Sequence, residues 1–387
     1  MTVADLVSRA RQRERQYVGD LTRIVNMDSG THDVERVNEV GRLIAMMLAD
    51  SDCSIEWHEP RSNDVGNTFV ARLAGERPGR VVLLGHHDTV YASGTADERP
   101  FRVEGSRAFG PGVMDMKGGV LLGVYALRLI RELRGADHPE LIFVGNPDEE
   151  IGSPNSRSVI EDAARDADLV LVLEPGREAG SIQTTRKGVG MYELVVEGVS
   201  SHAGARPEDG RSAILELAHK TIALHALTDF ESGTTVNVGV VRGGSRRNVV
   251  PDRASASIDL RASTVANADR ARELIHEIAR RATIEGTSAT ISGGMNRPPM
   301  EKTKATERAI DVGRTLVSEM GLDFLETTSG GGSDGNFTAA LGVPTLDGLG
   351  PVGRHAHSPE EWLDLSSFPQ RLALVAGLID RAPLRGA

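Results

Sequence analysis

The sequence predicts an α/β protein: a large, mostly parallel-stranded domain with helices on both faces, and a smaller α+β domain inserted into it. Three observations carry this. Between residues 80 and 173 short continuous apolar runs alternate with helix-like stretches, the pattern of strands buried on both faces. Between about 185 and 298 the strands instead alternate apolar with polar residues, and the element order reads β-α-β-β-α-β. After residue 300 the first rhythm resumes.

In chain order, residues 3–26 and 33–48 carry helical spacing, as in Val37, Val40, Leu43, Ile44 and Met47. The runs VVLLG (81–85), LIFVG (141–145) and LVLVL (169–173) read as strands, with a helix in GGVLLGVYALRLIREL from Gly118. The inserted segment offers MYELVVEGV (191–199), TTVNVGVV (234–241), SASIDLRA (255–262) and the short ATIS (289–292). Helices at about 211–226 and 268–284 complete a ferredoxin-like split motif. The large domain then closes with KATERAIDVGRTLVSEM as a helix and GVPTLDGLG as a strand. The expected bounds are 1–184 plus 299–387 for the large domain and 185–298 for the inserted one.

At 387 residues, 39% hydrophobic and 26% charged, the chain can fill two cores. A net charge of -11 argues against a nucleic-acid surface or an anionic membrane as partner. The single cysteine, Cys53, excludes an internal disulfide and a cysteine-rich metal site, and fits a reducing compartment. No run of about 18 apolar residues is present. The charged N-terminus, MTVADLVSRARQRERQY, lacks the apolar stretch of a secretory signal. A soluble, cytoplasmic protein is expected.

The apolar runs of the large domain end in similar chemistry. VVLLG leads to His86, His87 and Asp88; LIFVG to Asp148, Glu149 and Glu150; LVLVL to Glu174; VPTLDGLG to His355 and His357. Ligand sites in open α/β sheets lie outside the carboxyl ends of the strands. Any one of these groups alone reads as a surface loop or a structural pair. Four strand ends that agree point to a shared partner, because such groups are costly to bury unpaired. Nitrogen and oxygen donors without thiols suit zinc, with cobalt or manganese as alternatives. In extended backbone residues i and i+2 share a face. His86 is therefore the expected ligand, Asp88 the carboxylate that holds its ring, and His87 points away.

With these residues collected, the chain resembles the zinc metallopeptidases of the carboxypeptidase G type, a family that also holds acetylornithine deacetylases, succinyl-diaminopimelate desuccinylases and aminoacylases. The resemblance runs from about residue 20 to the C-terminus. It is carried, in order, by GHHDTV (85–90), GPGVMDMKGG (110–119), DEEIGS (148–153), LVLEP (171–175), SSHAGARPEDG (200–210), NVVPD (248–252) and HSPEEW (357–362).

The resemblance implies two Zn²⁺ ions bridged by Asp115, with His86 and Glu174 completing one site and Glu150 and His357 the other. Glu149 falls at the family's general base. Two divalent ions would be balanced by three carboxylates and a bridging hydroxide, so the cluster could be buried without a further counter-ion. His202 falls at the donor to the reaction's oxyanion, a residue that in the family reaches the partner subunit's site. That implies a homodimer through the inserted domain, which would serve as lid and dimerisation domain. Arg297 and Asn248 match positions that hold the substrate's carboxylate and carbonyl groups, and an arginine fork suits a free α-carboxylate. Arg261 is expected in a structural ion pair. The loop SGGGSDGNF (329–337) reads equally as a carboxylate-binding backbone cradle and as a plain turn.

The expected function is hydrolysis of an amide beside a free carboxylate, most like a glutamate carboxypeptidase, on a small peptide or N-acyl amino acid. An N-acyl-amino-acid deacylase is the alternative within the same chemistry. A non-catalytic binding module is disfavoured, since all five ligand positions and Glu149 are filled.

Overall fold

The computed structural model describes residues 2–382; Met1 and residues 383–387, inside the bounds drawn from the sequence, lie outside the described residues. The chain divides into two compact units. The first comprises residues up to Thr185, Lys302–Thr328 and Ser333 onward; the second comprises Arg186–Glu301 and Ser329–Gly332.

The first unit is built on a six-stranded sheet. Its spatial order is Ser54–His58, Thr68–Leu73, Glu140–Asn146, Arg80–His86, Leu169–Val172 and Thr345–Leu346. The last four run parallel; Thr68–Leu73 runs antiparallel to them, and Ser54–His58 antiparallel to Thr68–Leu73. The continuous apolar runs have a physical reason here. Val81, Leu83, Leu141, Phe143, Leu169 and Leu171 pack with helices Val3–Val25, Val34–Ala49, Gly118–Arg134 and Phe368–Asp380. The intervening Val82, Leu84, Ile142, Val144, Val170 and Val172 pack on the opposite face with Ile160, Ala163 and Ala164 of helix Arg157–Ala164. Successive residues of a strand point to opposite faces, and both faces are dry.

Helix Gly118–Arg134 lies close against the sheet because it begins with glycines. A Cβ on Gly119 would stand 2.0 Å from the carbonyl oxygen of Leu173. This contact sets the height of the turn that precedes the helix, where Asp115 sits. No described helix is long and apolar enough to cross a membrane.

The second unit is a four-stranded antiparallel sheet in the order Thr235–Gly243, Arg253–Ala262, Gly188–Glu197, Ser288–Arg297. With helices Ala213–His225 and Val265–Arg280 between the strands, this is the split βαββαβ order. One sheet face packs on the helices through Leu194, Val196, Ala256, Ile258 and Leu260, which is why these strands alternate in sequence.

Two element ends in this unit differ from the sequence reading for a visible physical reason. The second helix ends at Arg280 rather than 284, because the chain turns to give the N–H groups of Thr283 and Ile284 to the carboxylate of Glu216. The last strand runs to Arg297 rather than 292, through Gly293 and Gly294, which hide it from an apolar-pattern reading.

Glu216 is buried beside Lys220, Nζ to Oε1 3.0 Å. Lys220 also donates to the carbonyls of Ile278, Ala279 and Arg281 at the end of the second helix. Removing Lys220 leaves the buried Glu216 carboxylate without its counter-ion, held only by main-chain N–H groups. Lys220→Met is expected to cost about 3–5 kcal/mol, read as a lowered midpoint in denaturant unfolding.

Candidate metal centre

Four strand ends of the first unit converge. His86 is the last residue of its strand and is fully buried. Its Nδ1 lies 3.1 Å from the main-chain oxygen of Asp88 and 3.3 Å from Asp88 Oδ1. These oxygens place the ring proton on Nδ1 and turn Nε2 toward Asp115 Oδ1 at 3.2 Å and Glu174 Oε1 at 3.8 Å. On the other side His357 Nε2 lies 3.2 Å from Asp115 Oδ2 and 3.2 Å from Glu150 Oε2. The two oxygens of Asp115 thus face two different imidazoles. Ligand atoms of His86, Glu149 and Glu174 also lie within 4.8 Å of one another.

The electrostatics describe a place for positive charge. Burial disfavours a charged His86, but the carboxylates of Asp115, Asp88 and Glu174 outweigh it and hold its pKa well above the ordinary value. Hydrogen bonds to Asp115 and Glu150 push His357 up to about 10. Burial raises Glu150, whose Oε1 is buried without a hydrogen-bond partner among the described residues. An acceptor left orphaned at this depth, beside two more carboxylates and two imidazoles, fits cation ligation. His86, Asp115, Glu150, Glu174 and His357 are the residues that could hold two divalent ions.

Asp88 does more than its spacing suggested. It accepts the Thr31 hydroxyl (2.7 Å) and the main-chain N–H groups of Glu149 and Glu150, each at 3.2 Å. One carboxylate therefore aims His86 and fixes the backbone of the adjacent acid pair. Asp148, the first acid of DEE, is turned away from the centre. It accepts from the Asn155 N–H and the Ser156 hydroxyl and shapes the following turn.

Glu361 carried no role in the sequence. It is buried, and its Oε1 accepts the N–H groups of Met114 (2.8 Å) and Asp115 (3.0 Å). Its Oε2 accepts Gly112 N–H (3.0 Å) and the Tyr91 hydroxyl (2.7 Å). It pins the turn that presents Asp115, which is linked to Met116 by a cis peptide bond. Only its place in HSPEEW, four residues after His357, hinted at it. Arg371, fully buried, donates to the carbonyls of Gly350 (2.9 Å), Ala179 (3.1 Å) and Ser181 (2.6 Å). Gly350 N–H in turn holds the carbonyl of Glu174 at 2.8 Å. His357 itself has φ 61°, a left-handed backbone rare outside glycine.

His87 points away from the cluster, as its parity requires. It stacks near Phe69 (5.7 Å), neither ring nitrogen has a hydrogen-bond partner among the described residues, and burial pulls its pKa down to about 4. A Cβ on Gly41 would stand 2.8 Å from His87 Nε2, so that glycine makes room for the ring.

The other expected site residues lie in the second unit. His202 ends a two-residue strand paired with Val249–Val250, and Asn248 accepts the Ala203 N–H at 3.0 Å, so these two are neighbours. The Nδ1 of His202 accepts the N–H groups of Gly204 and Ala205, both at 3.1 Å, leaving the ring proton on Nε2. Arg297 is buried at the end of its strand, on a different sheet. Arg261 pairs with Asp259 at 2.9 Å. In the glycine-rich loop the N–H groups of Gly331, Ser333 and Gly335 already donate to the side chains of Ser329, Asn336 and Ser333.

The sequence profile of peptidase family M20/M25/M40 matches residues 82–381, a span that holds every member of this cluster. The chain belongs to that family. It is accordingly an enzyme of a metal-dependent hydrolase family. Among M20/M25/M40 relatives, carboxypeptidase G2 of a Pseudomonas species is 29% identical over 379 residues, covering 97% of this chain and 91% of its own length. A succinyl-diaminopimelate desuccinylase of a Bradyrhizobium species is 25% identical, covering 84% and 88%. The solved structure of an aminopeptidase PepT from Bacillus cereus shares the fold, with a TM-score of 0.78 at 21% identity over 95% of this chain and 98% of that one.

Two measurements check this geometry. Glu361→Gln turns an NH₂ toward main-chain donors and is expected to weaken divalent-ion binding about 10–100-fold, by metal titration. The folded-state pKa of His87 is depressed, so its contribution is full above pH 6.5 and is lost as pH falls toward about 4. His87→Leu is expected to flatten the stability–pH curve in that window by on the order of 3 kcal/mol, read by denaturant unfolding at stepped pH.

Proposed function

We propose that this chain is a dinuclear metal-dependent amidohydrolase that cleaves an amide bond beside a free carboxylate, most like a glutamate carboxypeptidase. The observation that carries the reading is Asp115: its two oxygens address His86 and His357 at 3.2 Å each, with Glu174 and Glu150 behind them. That donor set suits two Zn²⁺ ions, with Co²⁺ or Mn²⁺ as substitutes. When bound, such ions lower the pKa of a shared water and polarise the scissile carbonyl.

The chain's own groups supply the rest. Glu149, its backbone held by Asp88, takes the proton of the attacking water and returns it to the leaving amine. Asp88 keeps the His86 ring aimed. His202, with its proton on Nε2, acts as donor to the oxyanion of the tetrahedral intermediate. Following the family resemblance, it serves the partner subunit's site, in a homodimer formed through the second unit. Arg297 and Asn248 bind the substrate's carboxylate and carbonyl. The second unit acts as lid and dimerisation domain. A single cysteine accords with a cytoplasmic setting.

An N-acyl-amino-acid deacylase is the second reading, favoured by the likeness to a desuccinylase. Scoring which amino acid is released from N-acyl and peptidyl conjugates separates the two. Release of glutamate from folate-like or peptidyl conjugates is expected; cleavage of acetyl or succinyl conjugates alone would overturn the first reading.

Glu149→Gln, with metal content unchanged by elemental analysis, is expected to lower kcat by about 10²–10⁴. A chelator should abolish turnover, and Zn²⁺, Co²⁺ or Mn²⁺ should restore it. Full activity in metal-free protein would refute the mechanism.

A further inference from the structure

The two histidines of the centre are held in different ways. His86 is buried, and its ring is fixed directly by Asp88. The side chain of His357 is 51% exposed, so its place depends on the path of its loop. That loop, residues 355–361, joins two short antiparallel strands, Gly353–Arg354 and Trp362–Asp364. His355 and His357 both have left-handed backbone, with φ 65° and 61°. Residues other than glycine keep that conformation only where their surroundings impose it.

The bonds around Ser358 impose it here. Within the loop, the Ser358 hydroxyl donates to the His355 carbonyl at 2.9 Å, and Glu361 N–H donates to the Ser358 carbonyl at 3.2 Å. From outside the loop, the same Ser358 carbonyl accepts the Tyr91 hydroxyl at 2.9 Å. The phenol proton is shared with Glu361 Oε2 at 2.7 Å, and the Arg99 guanidinium lies over the ring, 4.8 Å from its centroid. Tyr91 stands a few residues beyond the strand Arg80–His86. A single hydroxyl thus ties the segment that carries His86 and Asp88 to the carbonyl next to His357, across 267 residues of chain. Its removal spares the other supports of the centre. Glu361 keeps the N–H groups of Gly112, Met114 and Asp115, and Asp88 keeps His86.

We propose that Tyr91 is a positioning residue for one of the two cation sites only. Its hydroxyl sets the place of His357, and so the affinity for the ion that His357 and Glu150 would hold, while the ion at His86 and Glu174 is indifferent to it. The inference rests on the dinuclear reading and adds to it a residue that acts on one half of the centre.

The test titrates Zn²⁺ into the metal-free full chain by calorimetry, with Tyr91→Phe placed in two backgrounds. Glu174→Gln leaves the half of the centre built on His357 and Glu150; Glu150→Gln leaves the half built on His86 and Glu174. Tyr91→Phe is expected to weaken binding about tenfold in the first background. In the second it is expected to weaken binding by about twofold at most. Equal weakening in the two, no weakening in either, or the larger loss in the second overturns the assignment. If the wild-type chain takes up two ions, any of those results refutes the role of Tyr91 alone. Wild-type uptake of fewer than two refutes the dinuclear reading and that role with it. Amide hydrogen exchange supplies a readout without metal. In metal-free Tyr91→Phe the Glu361 N–H, bonded to the Ser358 carbonyl, should exchange several times faster, and the Glu150 N–H, held by Asp88, at the wild-type rate. Unchanged exchange at Glu361, or equal acceleration at both, overturns the assignment even where a background binds no ion.

Discussion

Holding several carboxylates within hydrogen-bond reach of one another inside a protein is expensive, and the first unit is organised around that expense. Asp88 and Glu174 are buried, and Asp115 and Glu150 are partly buried beside them. Two imidazoles interleave them and offset part of that negative charge. The parallel sheet makes the arrangement possible, since it delivers strand ends from distant parts of the sequence to one edge. The glycine-led helix after Asp115 then sets that residue's depth against Leu173.

Much of this is legible in the sequence. Runs of apolar residues without alternation announced a two-faced sheet, and the helices indeed divide between its faces, Val82 looking one way and Leu83 the other. Alternation in the inserted segment announced a sheet packed on one side. The acids and histidines stood out because they follow apolar runs abruptly. Parity gives the two adjacent histidines opposite fates, and the ring of His87 is the one without a hydrogen bond among the described residues.

What the sequence concealed is of one kind. Glu361 and Arg371 act on main-chain atoms, and Thr31 on the Asp88 carboxylate, of residues far away in the chain, and such contacts leave no periodic trace. Glu361 reaches back 246 residues to the Asp115 N–H. Arg371 reads as an ordinary charged residue within a helix, yet it is buried and its bonds go to carbonyl oxygens, which burial reflects by pulling its pKa down to about 9. The long last strand of the second unit was likewise masked by Gly293 and Gly294, whose lack of side chains erases the alternating pattern while the ladder continues.

The shared anchoring by Asp88 has a mechanical corollary. Because a single carboxylate grips the imidazole of one strand and the peptide N–H groups of the next, thermal displacement at this edge of the sheet carries both along together. Their spacing varies less than either position does. Tolerance for small motion of the scaffold is thereby built into the place where misplacement by one ångström would matter most.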